Sequence, residues 1–181
     1  MNSTFTIITV VLVLVVSGAI LGWVFAARKR SEKFQDRFGP EYEHTVETTG
    51  SEKNAQAELG ERQKHVDALE IRPLSVDQRE AYLAEWAGVQ SKFVDEPGEA
   101  IVDADRLIKE VMQLRAYPVS DFDQRAADIS VGYPELVSNY RAAREIALKN
   151  KQNEADTEEL RQAMIHCRSL FNELLGEEEP V

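Results

Sequence analysis

An uncharged apolar run, residues 5–27, lies near the start of the chain and is followed at once by Arg28, Lys29 and Arg30. As a helix, these 23 residues would extend about 34 Å at about 1.5 Å per residue, slightly more than the roughly 30 Å hydrocarbon core of a bilayer. No other apolar run in the sequence approaches this length. The run therefore predicts one N-terminal transmembrane helix and an integral, single-pass membrane protein.

A cleaved secretory signal is the competing interpretation, because Val24-Phe25-Ala26 loosely fits a cleavage site. Signal peptides have a basic n-region and an apolar core of roughly 7 to 15 residues, whereas residues 1–4 carry no basic side chain and the run here is longer. We therefore favour an uncleaved anchor. Because positive charge is retained on the cytoplasmic side, the sequence predicts an outside N-terminus and a cytoplasmic domain; an exported domain is the alternative.

Small residues recur at every fourth position within the predicted span, at Gly18, Gly22 and Ala26. On a helix they share one face, where small side chains allow two backbones to approach closely. This pattern suggests a transmembrane dimer face and hence a homodimer. The alternative is that glycine is simply common in membrane helices.

Charge divides the rest of the chain into a basic collar and an acidic body. Residues 28–37 have a net charge of +3, whereas residues 38–181 have a net charge of −14. Anionic lipid attracts the collar and repels the body, and an acidic body disfavours nucleic-acid binding. We divide the chain into an N-terminal segment (1–27), a basic juxtamembrane collar and linker (28–50), a polar helix and linker (51–74), a helical bundle (75–176) and an acidic tail (177–181).

Helical periodicity throughout the domain predicts an all-α fold with about four main helices from Ser75 onward. Ser75 and Gln78 fit a capping box, and the aromatic stripe that follows is expected to be buried. Further helices are predicted over about 97–115, from the Asp121 cap to about residue 129, from Gly132 to about residue 149, and from Asp156 or Thr157 to Gly176. The stripe consists of Tyr82, Trp86, Val89 and Phe93; a groove for a partner is its alternative role.

Metal and nucleophile chemistry have little support in the sequence. Glu41 and His44 form one Glu-x-x-His half-site, but carboxylate-bridged metal bundles use two such motifs with further glutamates. The single cysteine, Cys167, falls on the apolar stripe of the last helix, where a thiol behaves as a small hydrophobe. His166 is adjacent to it in sequence and so points elsewhere on the helix. We predict no catalytic residue, no metal and no cofactor.

Two Tyr-Pro loops around a short helix contain the most suggestive polar residues. Loops held by a rigid scaffold often carry binding residues. The structural alternative, which we favour, is that the aspartate at position 121 caps the helix, the arginine makes a surface ion pair and the tyrosines close the bundle ends. The candidate binding residues are Tyr117, Asp121, Asp123, Arg125 and Tyr133.

Several segments together resemble a family of uncharacterised bacterial proteins with one N-terminal membrane helix. The segments are Phe38-Gly39-Pro40-Glu41-Tyr42, Ile71-Arg72-Pro73-Leu74-Ser75, Trp86 with Val89-Gln90, Phe93-Val94-Asp95 and Leu160-Arg161-Gln162-Ala163-Met164. The resemblance covers most of residues 28–176. It implies a bacterial plasma membrane and supplies no activity or catalytic residues.

The sequence therefore favours a non-enzymatic, membrane-tethered helical interaction domain on the cytoplasmic face, with a protein partner that it does not identify. One alternative is a helical bundle that binds a small ligand or a metal and has an activity of its own. The other is an exported helical domain, which follows if the apolar run is a cleaved signal.

Overall fold

The structure, a computed structural model, describes residues 2–176; the side chains of residues 2–15 and of Ala27 are not described, and the predicted acidic tail lies outside the described residues. No strand occurs in residues 2–176, which confirms the predicted all-α class. The helices are α1 (Asn2–Phe38), α2 (Pro40–Thr49), α3 (Glu52–Asp67), α4 (Val76–Lys92), α5 (Pro97–Leu114), α6 (Phe122–Gly132), α7 (Val137–Lys151) and α8 (Thr157–Leu175).

The chain divides into two compact units, and the boundary lies within α3, between Gln56 and Ala57. We call these the N-terminal unit and the bundle unit. The finer domain boundaries drawn from the sequence stay a prediction.

In the N-terminal unit, α1 and α2 form a helical hairpin. The break between them falls at Gly39, whose φ of 47° favours glycine, and Pro40 begins α2. Tyr42 of α2 hydrogen-bonds the Ser31 hydroxyl of α1 at 2.9 Å, and its ring lies 6.2 Å from that of Phe34. These contacts fold α2 back along α1.

The predicted span is the first part of α1. Among the side chains that the structure describes, no helix is both long and apolar enough to cross a membrane. The side chains of residues 5–15 in the predicted span lie outside that set. Gly18, Gly22 and Ala26 are exposed on α1, and no atom lies within 4 Å of a Cβ added at either glycine.

The core of the bundle unit lies where α5 and α8 pack together, with α7 against α8 and α4 against α5. Both central helices bury a broad apolar face, because their apolar residues recur every three or four positions. Trp86 of α4 stacks on Phe171 of α8, with ring centroids 4.5 Å apart. The aromatic stripe is therefore core at Trp86 and Val89, as predicted, while Tyr82 and Phe93 are half-buried against it.

Side-chain caps fix the starts of α4, α6 and α8 in the bundle unit. Ser75 and Gln78 form the predicted capping box, and the Asp121 carboxylate accepts from the backbone N–H of Gln124 at 3.0 Å. Asp156 and Glu159 form a second capping box at α8. Each cap satisfies backbone N–H groups that the first helical turn leaves without partners.

Helix α7 starts later than the sequence predicted. The sequence predicts that Gly132-Tyr133-Pro134 opens this helix. In the structure α6 continues to Gly132, and α7 begins at Val137. Between them, the backbone N–H of Leu136 donates to the Tyr133 carbonyl at 3.0 Å and forms a turn. A Gly and a Pro separated by one residue mark a break without showing where the first helix ends and the next begins.

Cys167 lies on the buried face of α8 and is 3% exposed, as expected for a core residue. Burial raises the pKa of its thiol to about 12. The thiol is therefore protonated and unreactive near neutral pH. Burial also lowers the pKa of the neighbouring His166.

Candidate functional site

The polar residues predicted in the two Tyr-Pro loops lie at both ends and on the inner face of α6. Asp121 and Asp123 are exposed, Tyr133 is half-buried, and Tyr117 and Arg125 are buried. Asp121 is the N-cap of α6, as its structural interpretation required. The five side chains thus differ in exposure and do not all face one open cleft.

Arg125 points into the protein instead of forming the surface ion pair that the sequence suggested. It is 4% exposed, its Nε donates to the Tyr140 hydroxyl at 3.1 Å, and its Nη1 donates to the Val119 carbonyl at 2.6 Å. Its guanidinium also lies over the ring of Phe122. The predicted surface ion pair was wrong because two neutral acceptors surround Arg125. One is the Tyr140 hydroxyl of α7, and the other is the Val119 carbonyl in the loop before α6.

Tyr117 and Tyr133 meet around Arg115 at the end of α5. The Nη1 group of Arg115 donates to the Tyr133 hydroxyl and to the Leu174 carbonyl, both at 2.9 Å. Its guanidinium lies 5.9 Å from the ring centroid of Tyr117, and burial is the main cause that raises the pKa of the Tyr117 phenol. These contacts fasten α5, α6 and α8 together, as the structural interpretation of the tyrosines predicted.

The most unusual polar group near α6 is Asp128, which belongs to the polar cluster that the sequence shows around the two Tyr-Pro loops but is not one of the five candidate binding residues. Asp128 is 1% exposed. Its Oδ1 accepts from Gln124 Nε2 at 2.8 Å and lies 3.6 Å from His65 Nε2. Its Oδ2 is buried and has no hydrogen-bond partner among the described residues.

Burial raises the pKa of the Asp128 carboxyl, and the bond from Gln124 and the nearby His65 offset only part of this. A carboxyl that retains its proton to higher pH can donate a hydrogen bond or act as an acid. In the sequence, Asp128 is marked by its place in the polar cluster of the Tyr-Pro loops, three residues after Arg125. Its environment comes from His65, which is distant in sequence.

The second half of α3 lies on this side of α6 in the bundle unit. Arg62 Nη1 donates to the Ser130 hydroxyl at 3.3 Å, and Ser130 donates to the Ala127 carbonyl at 2.6 Å. His65 is 44% exposed at its side chain. The buried carboxyl of Asp128 is thus covered by α3, with His65 between it and solvent.

The Glu41 and His44 half-site is divided between two environments. Glu41 is 2% exposed, whereas His44 is exposed. Within the described part of the chain, no group of three or more His, Cys, Asp or Glu side chains is arranged to hold a metal ion.

The recesses on the described part of the bundle unit include the following two. One, of about 410 Å³, lies where α5 begins and α7 ends, around Gly98 and Asn150. The Asn150 side-chain amide donates to the Gly98 carbonyl at 3.0 Å and forms part of its wall. The other, of about 280 Å³, lies between α5 and α7 and is lined mainly by charged side chains such as Asp105, Lys109 and Arg144.

The outer face of α4 carries an exposed apolar row, which we call the α4 row: Val76, Leu83, Ala87 and Val94. The three large side chains are 73%, 43% and 81% exposed, and Ala87 is exposed as well. Their spacing of seven, four and seven residues keeps them on one side of the helix and of the turn that follows it. The row is hard to recognise in the sequence because the aromatic stripe of the same helix dominates its apolar periodicity.

Comparisons of the chain with protein-family models, with curated proteins and with solved structures found no match.

Proposed function

We propose that this protein is a membrane-tethered helical adaptor on the cytoplasmic face of a bacterial plasma membrane. Its bundle unit binds a protein partner through the α4 row. The partner element is a basic amphipathic helix.

The tether is supported by the sequence of α1. The apolar run of residues 5–27 is long enough to span a bilayer, and α1 continues through the basic collar to Phe38 without a break. Lys and Arg on the C-terminal side of the run favour a cytoplasmic domain. The −14 net charge of residues 38–181 favours a body that stands off anionic lipid.

The observation that carries the interaction role is the exposed α4 row. Trp86 and Val89 of α4 are buried in the core, whereas Val76, Leu83 and Val94 remain exposed to solvent. Large apolar side chains aligned on one exposed helix face are typical of a surface that a partner helix covers. Isolated exposed apolar residues would need no such explanation.

Charge indicates the chemistry of the partner. Asp77, Glu80 and Asp95 are exposed along one flank of the α4 row. An apolar strip with an acidic flank complements a helix that has an apolar face bordered by Lys and Arg. A second copy of this acidic body would bring like charges together, which disfavours self-association here. A homodimer through Gly18, Gly22 and Ala26 stays a separate prediction.

Site-specific photocrosslinking in intact membranes tests the adaptor role. A photoreactive amino acid is placed at Leu83, in the α4 row, and in a second variant at Leu148 of α7 as the matched control. Leu83 and Leu148 are 43% and 42% exposed, so nonspecific hydrophobic contacts should produce equal crosslinking at the two positions. The crosslinked peptide is then identified by mass spectrometry, and its synthetic form is titrated into the purified protein at rising salt.

We expect a crosslink at Leu83 that is absent at Leu148, to a peptide with an apolar face and basic flanks whose binding weakens as salt screens the charges. Leu83→Glu should abolish that binding, and Leu148→Glu should not. A crosslink from Leu83 to a second copy of this chain, or equal crosslinking at the two positions, would overturn the proposal.

A further inference from the structure

A recess of about 420 Å³ in the N-terminal unit lies beside the end of the proposed anchor. Helix α1 lines most of it, and the first residue of α3 completes it. The side chains that line it include Trp23, Val24, Arg28, Glu32, Gln35 and Glu52.

The α1–α2 hairpin explains why Glu52 belongs to this recess. Helix α2 has 10 residues and so extends about 15 Å back along α1. The left-handed Gly50 then ends α2 and leads into α3. The start of α3 is thereby returned to Arg28 and Glu32, immediately after the apolar run. In the proposed membrane orientation, this is the level of the lipid headgroups.

The lining changes from apolar to charged along α1. Trp23 and Val24 lie on the anchor side, and Arg28, Glu32 and Glu52 lie on the collar side. One cation and two carboxylates give the recess a net negative charge, which disfavours an anionic headgroup. A zwitterionic headgroup with a phosphate and an amine can satisfy both signs at once.

The neutral polar side chains of the recess favour a ligand that donates hydrogen bonds over one that accepts them. The Gln35 side-chain amide donates to Glu43 at 3.2 Å, so its other polar atom is an oxygen that accepts. With the carboxylates of Glu32 and Glu52, this makes the recess rich in acceptors. A primary ammonium has three N–H donors, whereas a quaternary choline has none.

We propose that this recess binds the headgroup of phosphatidylethanolamine, with the phosphate on Arg28 and the ammonium between Glu32 and Glu52. The assignment rests on the proposed membrane tether. The recess should bind the ethanolamine headgroup about tenfold more tightly than the choline headgroup, which is the discrimination expected for one charge-assisted hydrogen bond.

Tryptophan quenching by brominated lipid tests the assignment in the full-length protein. The chain has two tryptophans, so Trp86→Phe leaves Trp23 as the reporter and Trp23→Phe leaves the buried Trp86 as the background. Each variant is reconstituted into phosphatidylcholine vesicles that contain a small, equal fraction of either brominated phosphatidylethanolamine or brominated phosphatidylcholine. If Trp86→Phe does not fold, the difference between wild type and Trp23→Phe gives the Trp23 signal.

We expect Trp23 to be quenched at about tenfold lower fractions of the ethanolamine lipid than of the choline lipid. Replacing Glu32 and Glu52 together by Gln should remove this preference. Glu47→Gln removes an exposed carboxylate of α2 outside the recess and should preserve the preference.

Three different failures are distinguishable. Equal quenching by the two lipids would overturn the headgroup site while leaving the tether intact. An absence of quenching by either lipid would overturn the tether and the site together. Loss of the preference on adding soluble glycerophosphoethanolamine at the same concentration would overturn the lipid assignment in favour of a soluble ligand.

Discussion

At the scale of single residues, the carboxyl of Asp128 makes the stability of the bundle unit depend on pH. Burial raises its pKa above the ordinary value. Between the ordinary and the raised pKa, the folded protein retains a proton that the unfolded chain releases. The free energy of unfolding therefore falls as pH rises through this range and stays lower above it.

Asp128→Asn should increase stability at neutral pH and flatten the pH dependence above pH 4. The amide keeps an oxygen that can accept from Gln124, and it cannot ionise. Because the amide avoids the cost of burying an ionised carboxylate, we expect a gain of the order of 1 kcal/mol. Urea unfolding of the full-length protein in detergent measures it across pH 4 to 8, with Trp23→Phe as the background so that the fluorescence reports Trp86.

Asp123→Asn is the matched control, because it removes a carboxylate from the exposed side of the same helix. It should change the free energy of unfolding by less than about 0.5 kcal/mol. A lower stability of Asp128→Asn at neutral pH would mean that the contact with His65 outweighs the cost of burial, and would contradict the prediction.

The polar residues show how far sequence alone reaches at this scale. The cap at Asp121 was predictable because its hydrogen-bond donor is the backbone N–H of Gln124, only three residues further along the chain. Arg125 and Asp128 could not be placed in this way. Their environments come from Tyr140, 15 residues away, and from His65 on another helix, and helical periodicity carries no information about such tertiary partners.

At the scale of secondary-structure elements, the junction of α5 and α7 depends on one glycine. A Cβ added at Gly98 would lie 2.7 Å from the Asn150 side-chain oxygen. That distance is too short, so the Asn150 amide would have to move and its hydrogen bond to the Gly98 carbonyl would be lost.

Gly98→Ala should therefore lower the free energy of unfolding by about 1 kcal/mol, the usual value of one hydrogen bond. Gly88→Ala is the matched control, because Gly88 is exposed in the middle of α4 and an added Cβ has no atom within 4 Å. It should raise stability by roughly 0.5 to 1 kcal/mol through helix propensity. Chemical unfolding of both variants measures the difference, and changes of the same sign would refute this account of Gly98.

Helix existence and most helix ends were predictable because they depend on short-range signals. The caps at Ser75 and Asp156 and the terminal Gly176 each act within four residues of a helix end. The start of α7 was misplaced because the turn at Tyr133 competes with helix in a segment where both are locally acceptable. The α4 row was missed because the larger aromatic side chains dominate the apolar periodicity of α4.

At the scale of the whole molecule, the distribution of charge predicts topology. The positive collar on the C-terminal side of the apolar run favours a cytoplasmic C-terminus. This prediction is independent of the partner that binds the α4 row.

A reporter pair fused after Val181 should show activity only for the enzyme that works in the cytoplasm, and not for the one that works outside. Replacing Arg28, Lys29 and Arg30 together by Glu should reduce that bias, because the retained positive charge is removed. Replacing Lys149 and Lys151, two exposed lysines of the bundle unit, by Glu is the control and should leave topology unchanged. External activity of the unaltered fusion would show that the domain is exported.

The buried thiol of Cys167 has a practical consequence for all of these measurements. The chain has one cysteine, and its high pKa and low exposure make it slow to react with maleimides and oxidants. An introduced cysteine, such as Ala87→Cys in the α4 row, would then be labelled selectively without removing the native one. The protein thus provides its own silent background for attaching spin labels or fluorophores to any exposed position.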